Sequence, residues 1–506
     1  MHHPFWIAVE AEWPTAISPA ILACAKHDEL AWLDSVGIDA AAAGSLHDGP
    51  VPAFSLIAVA PQRRIGVSLP PAAGAAVAAG EGWERLAAAV RAVSPVGPGD
   101  EFPSPLRGAP LPGWIGFVGY EMACGLEHVA IHDADFAGIP AMRFALFARG
   151  IILEHAVRRA WVVGCVRHRA DEEGVRALAA RWNGAVADAT RCARLCERDA
   201  PGGEQREEPA FSAIEHETSE REHARMVARA HAYLSAGDIY QVNLAHRLRL
   251  TAGNTSLSGG AAPVAAMSVY TRLRRRNPAG FAALLSWGDA AIASVSPERF
   301  LELRGRSVLT SPIKGTRPRL HEPAADRAAV ESLLGSAKDA AELAMIVDLH
   351  RNDLGRVCVP GTVRVTDARR IEAHPTVFHT VADIRGELRP GLDAIDLLRA
   401  CFPAGSVTGV PKIRAMQIIH ELERAPRGVY TGAIGVIGLD GNMSLSVAIR
   451  TLQASGGEAL LHVGGGIVAD SRADEEYAET LAKGRGILDA LLPKSASRPA
   501  PITQRT

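Results

Sequence analysis

The chain has almost nothing that would bind by charge alone. Its 506 residues hold 54 Lys and Arg against 56 Asp and Glu, a formal net charge of -2. That balance leaves no electrostatic footprint for nucleic acid or an anionic membrane. The one basic run, Arg274-Arg275-Arg276, reads as a solvated helix end. No apolar stretch approaches the roughly 18 uninterrupted residues that a membrane span needs. The seven cysteines (Cys24, Cys124, Cys165, Cys192, Cys196, Cys358, Cys401) are odd in number, form no CxxC pair and outline no disulfide framework. None of them sits in a Gly-x-Cys-x-Gly nucleophile turn. Glu10 and Glu12 stand where a secretory signal would carry a basic region and an apolar core. Together these absences predict a cytoplasmic protein whose chemistry is held in a pocket.

What is present is ordinary in bulk and informative in detail. Hydrophobic residues make up 48% and charged residues 22%, globular values, and the length predicts one large or two interleaved domains. Residues 1–200 show short apolar runs broken by Gly and Pro, a sheet-rich pattern whose clearest helix is Gly82 to Val93. Asp199 to Pro209 is a linker by composition, and residues 211–493 form the second region. There the pattern predicts helices at Glu217 to Ala236, Ala324 to Leu349 and Ala473 to Leu491, with Gly237 stopping the first. Strands are expected at Ala290 to Ser294, Arg299 to Arg304 and Leu460 to Val468. Two more, Tyr430 to Leu439 and Met443 to Ala454, are joined by the hairpin signal Asp440-Gly441-Asn442. Residues 494–506, rich in Ser, Pro and Arg, read as a disordered tail. Hairpin-linked strands with covering helices predict an α+β fold of antiparallel sheets.

Two clusters of charge lie at helical spacing. Asp339 and Glu342 are three apart; Glu476, Glu479 and Lys483 fall at i, i+3 and i+7 of the last helix, apart from an apolar stripe of Tyr477, Leu481, Gly484, Leu488 and Leu491. Alone, such a face is usually solvated. The strand feeding that helix contains Gly464-Gly465-Gly466, and consecutive glycines in a strand mark close approach of backbone to a ligand. Ser471 is placed to cap the helix. Carboxylates bordering a glycine floor suit a hard cation such as magnesium, completed by water and a carboxylate-bearing ligand.

The blocks GDIYQVNLAHR (237–247), SVSPERF (294–300), SPIKGTRPR (311–319), KDAAELAMIVDLHRNDLGRV (338–357), HPTVFHTVADIRGEL (374–388), CFPAGSVTGVPKIRAM (401–416), YTGAIG (430–435), IRTL (449–452) and GGGIVADSRADEEYAETLAK (464–483) follow one another in order. Across most of residues 211–492 they resemble the chorismate-utilising enzymes, which include the aminodeoxychorismate, anthranilate, isochorismate and salicylate synthases. GWIGFVGYE (113–121) resembles that family's glycine-aromatic segment. The resemblance implies orthogonally packed antiparallel β-sheets covered by helices, in four layers. It also implies Mg2+ held by Glu342 and Glu479, with Asp339 and Glu476 acting through water, and the metal bound to the ring carboxylate of chorismate. Arg450 and Tyr430 would hold the enolpyruvyl carboxylate, Lys483 and the amides near Gly464 and Gly465 would touch carboxylates, and Ser406 would line the pocket. Glu298 is implied as the general acid that protonates the departing hydroxyl, assisted by His379. The sequence departs from many relatives at Ala382 and Gly280, neither in a chemical role.

Two positions separate the members. Water-adding relatives carry a lysine where this chain has Gln241, which argues against isochorismate or salicylate formation. At position 314 the resemblance gives a nucleophilic lysine to the enzymes that form aminodeoxychorismate and alanine to those that form anthranilate. Lys314 therefore implies the former, the anthranilate-forming branch being the rival and an inactive scaffold for a glutaminase the reading from another class. With no glutaminase nucleophile motif, ammonia is expected from a partner glutamine amidotransferase subunit or from solution.

Overall fold

The computed structural model describes residues 4–14, 29–36, 54–93, 95–99, 101–133, 138–199, 210–252, 262–320 and 322–492. Among these, no helix is long and apolar enough to cross a membrane. The strands assemble into one sheet of twelve and one of ten, and the paired strands run antiparallel, as the hairpin signals predicted. Both sheets take strands from either side of residues 200–209. In the larger sheet Glu29–Val36 pairs with Ala279–Trp287, and in the smaller one Gly113–Val118 pairs with Ala433–Gly438. The linker from 200 onward and the 494–506 tail lie outside the described residues.

Period-two alternation sorts the strand side chains between two cores. In Phe54–Val59, Leu56 and Ala58 join a core that also contains Trp114, Phe117 and Leu445 of the ten-stranded sheet. Ile57 and Val59 point the other way, onto Trp182, Tyr270 and Leu491. Those three belong to the helices Arg169–Asp199, Ala262–Arg276 and Ala473–Leu491, which cover that face.

Several boundaries differ from the sequence reading. The first helix begins ten residues before Gly82, at Ala72, and runs to Arg91. The helix expected from Glu217 runs Glu220–Ala236, because Ser219 and Glu222 form a capping box there; Gly237 ends it at φ 79°. The single helix expected over 324–349 is two, Pro323–Gly335 and Ala337–Gly355. Ser336 breaks them: its backbone is extended and its hydroxyl accepts the Asp339 amide at 3.2 Å. The Gly335-Ser336 pair is a stop followed by a cap, and the apolar periodicity on either side hid it.

The hairpin at Asp440–Asn442 forms, between Ala433–Gly438 and Met443–Val447. Its second strand does not continue to Ala454. The chain leaves the smaller sheet after Val447, turns through Arg450 at φ 50°, and enters the larger one as Thr451–Ser455. Tyr430 precedes the first strand of that hairpin. Ser471 does not cap the last helix; the cap position is Arg472, and the Ser471 hydroxyl donates to Glu476 instead. The buried face of that helix runs through Glu476, Thr480, Gly484, Ile487 and Leu491. It shares only Gly484 and Leu491 with the expected stripe.

Candidate active site

The site is built on the glycine run. Strand Glu458–Ile467 pairs with Gln241–Ala252, setting Gly464 opposite Ala245 and Gly466 opposite Asn243. A Cβ at Gly466 would lie 2.7 Å from Gln241 Nε2 and 3.3 Å from Lys314 Nζ; one at Gly464 would lie 2.7 Å from the Tyr430 hydroxyl. A Cβ at Gly465 would lie 3.2 Å from Glu476 Oε2. Only glycine leaves room for these side chains against the strand, so close approach is the reason for the run.

Lys314 reaches this floor from strand Ile313–Pro318. Gly315 follows it at φ 85°, a conformation that suits glycine, and the Thr380 hydroxyl donates to the Lys314 carbonyl. Burial lowers the Lys314 pKa, opposed by the carboxylates of Glu342, Glu298 and Glu479 and reinforced by the Lys483 cation. Glu298 is buried, with its amide donating to the Ser296 hydroxyl at 3.2 Å. Burial pushes its carboxyl up to about 7, against the pull of Ser406, Lys314 and the Ile313 amide. Ser406 lies near enough to pull the Glu298 pKa down, yet Glu298 Oε1 and Ser406 Oγ both lack a well-formed hydrogen bond. So do both amide atoms of Gln241 and Nε2 of His379.

His379 lies opposite Thr316 in the register of the neighbouring strand, Val377–Glu387, and its Nδ1 is 2.8 Å from Thr316 Oγ1. Burial, the Arg450 cation and His374 push its pKa down to about 3, so the ring is neutral. Arg450 is half-buried at the crossing between the sheets, where its carbonyl accepts the Val295 amide at 3.1 Å. Its left-handed backbone is uncommon for a residue with a side chain. Burial lowers the pKa of its guanidinium. Tyr430 stacks on His462 at 5.2 Å between ring centroids, and burial raises its phenol to about 12.

The four carboxylates come from two helices. Asp339 and Glu342 project from Ala337–Gly355, Glu476 and Glu479 from Ala473–Leu491. Burial raises the Glu342 pKa, with Asp339 and Glu476 adding to the rise; burial and the Glu479 charge raise that of Glu476, against the Ser471 hydrogen bond. For Glu479 burial works upward too, but Lys483, Lys338 and Lys314 outweigh it and the pKa falls. Lys483 Nζ pairs with Glu479 at 2.8 Å and donates to the Gly464 carbonyl at 3.1 Å. Asp339 pairs with Arg317 at 3.2 Å. Among the described residues no three His, Cys, Asp or Glu side chains form a ready cation cage. An all-oxygen donor set of like charges fits a cation that takes one or two protein carboxylates and fills its shell with water and ligand.

The structure sets Gln241, Lys314, Tyr430, Glu476 and Lys483 against the glycine run, and it adds a group that the sequence reading missed. Arg427, 1% exposed, donates to both Glu423 oxygens at 2.8 and 2.6 Å. It also donates to the carbonyls of Val407 and Asn243 at 3.0 and 2.7 Å and to Thr431 Oγ1 at 3.2 Å. Glu121 accepts the amides of Arg427 and Gly428 at 2.8 and 3.0 Å. This network ties the Ser406 turn, the Gln241 strand and the Tyr430 loop together. The available signal was the i, i+4 spacing of Glu423 and Arg427 ahead of the YTGAIG block.

A family model described as chorismate binding enzyme matches residues 60–489, and the chain belongs to that family. It is 39% identical over 381 residues to aminodeoxychorismate synthase component 1 of Salmonella typhimurium, covering 75% of this chain and 76% of that protein. It is 37% identical over 402 residues to anthranilate synthase component 1 of Streptomyces coelicolor, covering 76% and 75%. The crystal structure of anthranilate synthase component I from Streptococcus pneumoniae superposes with a TM-score of 0.67 at 28% identity, covering 87% of this chain and 93% of that one.

Proposed function

We propose that this chain is the large component of an aminodeoxychorismate synthase. It would convert chorismate and ammonia to 4-amino-4-deoxychorismate in the cytoplasm, on the route to 4-aminobenzoate and folate, with a separate glutamine amidotransferase subunit supplying the ammonia. Relatives of both aminating kinds are similarly close, so their names do not choose between them. Lys314 carries the choice: it is an amine with a depressed pKa, set at the glycine floor and facing Glu298.

The proton inventory supports this reading. Burial favours the neutral form of both groups, an amine with a free lone pair and a carboxyl that still holds its proton. In the reaction the Lys314 lone pair forms a C–N bond to the ring as the C–O bond to the hydroxyl breaks. Glu298 gives its proton to the departing oxygen, which leaves as water. Ammonia then forms its C–N bond at the carbon that carried the hydroxyl, and Lys314 leaves as the amine. Arg450 and Tyr430 hold the enolpyruvyl carboxylate, the guanidinium through two oxygens at once. Glu342 and Glu479, with Asp339 and Glu476 behind water, would hold magnesium, whose charge would offset that of the ring carboxylate. For Glu479 this requires Lys483 to release it.

The test is product identification by mass spectrometry after incubating the purified chain with chorismate, magnesium and ammonium at alkaline pH. Aminodeoxychorismate is the expected product, and glutamine alone should give none. Anthranilate would move the chain to the other aminating branch, and absence of any product would favour the scaffold.

A further inference from the structure

We propose that Thr316 is a positioning residue that keeps the ring proton of His379 on Nε2, so that His379 meets the pocket as a hydrogen-bond donor. The identity of its acceptor, the departing ring hydroxyl, rests on the amination reading above.

A neutral imidazole has one N–H and one lone pair, and whatever Nδ1 meets decides which nitrogen faces the pocket with which. Two groups act on the ring from its own strand pair. The Thr316 hydroxyl, 2.8 Å from Nδ1, can donate to it. The Gly315 backbone, also near the ring, favours the ring N–H that faces it. The threonine contact is set at hydrogen-bonding distance from Nδ1 by the pairing of the two strands. With Thr316 donating, the proton lies on Nε2, the buried nitrogen that has no partner in the protein.

The surroundings keep this ring a neutral donor and prevent it from becoming an acid. Arg450 brings a cation to it, and His374 packs edge-on at 5.2 Å while its own Nε2 is 2.9 Å from Glu372. Glu372 is the anion that acts on the ring, and it is shared with Arg370 at 2.7 Å. A division of labour follows: Glu298 supplies the proton, and the His379 N–H stabilises negative charge as it grows on the leaving oxygen. Reversal of the tautomer would aim a lone pair at that charge.

Thr316→Val removes the hydroxyl at nearly constant shape, and Thr316→Ser keeps it. In 15N-histidine NMR of the free enzyme, wild type and Thr316→Ser should carry the His379 proton on Nε2, and Thr316→Val on Nδ1. With chorismate and ammonium, Thr316→Val should lose kcat on the order of 100-fold with little change in KM for chorismate, and Thr316→Ser should stay within a few-fold of wild type. A wild-type ring protonated on Nδ1 overturns the proposal. So does a valine variant in which tautomer and kcat fail to change together. The NMR measurement needs no turnover, so failure of the amination reading would show separately, as absence of the aminated product.

Discussion

Two buried polar regions lie within a few strands of each other and differ in how their charges are bonded. Around Arg427 every charged group is matched: the guanidinium has Glu423 and three further acceptors, and Glu121 has two backbone amides. Around Lys314, Gln241 has neither amide atom matched, and Glu298, Ser406 and His379 each have one atom without a protein partner. Burying polar atoms without partners costs about 1–3 kcal/mol each, so the second region works against stability. The charges of the first region are matched within the protein, although Tyr120 Oη and Asn243 Nδ2 beside them have no partner; the second region leaves its catalytic candidates open.

The largest expected effect breaks the unsatisfied region chemically. Lys314→Ala should abolish aminodeoxychorismate formation, and Lys314→Arg should do no better, because a guanidinium stays protonated and cannot attack. Product analysis by mass spectrometry checks this; a Lys314→Arg enzyme with wild-type rate and product would reduce the lysine to a mere charge.

Next comes the satisfied region. Arg427→Met leaves Glu423 buried and unpaired and should destabilise the fold by about 3–5 kcal/mol, whereas Gln241→Leu, which removes two unmatched atoms, should leave stability unchanged or raise it. Denaturant melts of the two variants measure the contrast. Similar losses in both would mean that the two regions do not differ in kind.

The smallest effect tests the stability cost directly. The folded-state pKa of Glu298 lies near 7, above its ordinary value of 4.5. The folded protein therefore binds the extra proton between those values, and stability falls as pH rises from 4.5 through 7. Glu298→Gln is free of that loss. Its stability should exceed wild type by about 1–3 kcal/mol at pH 8 and match it near pH 4, as read from melting curves. A pH-independent difference would remove the ionisation argument.

Much of this was legible along the chain because it depends on local spacing. The last helix, the Asp440–Asn442 hairpin and the strand Arg299–Arg304 follow from periodicity and turn chemistry. The residue types of Lys314, Glu298 and the two carboxylate pairs could be singled out from their blocks. Other features had no local cause. Arg427 looks like any surface arginine in sequence; it is a hub because residues 121, 243, 407, 423 and 431 meet there. The turn at Arg450 exists because one segment must pass from the smaller sheet to the larger, which no alternation pattern records. The sequence by itself determined which chemical groups are present and which secondary structures carry them. Only the tertiary structure decided which are dry, which are matched and which face a common pocket, because desolvation and hydrogen bonding depend on neighbours that lie hundreds of residues away.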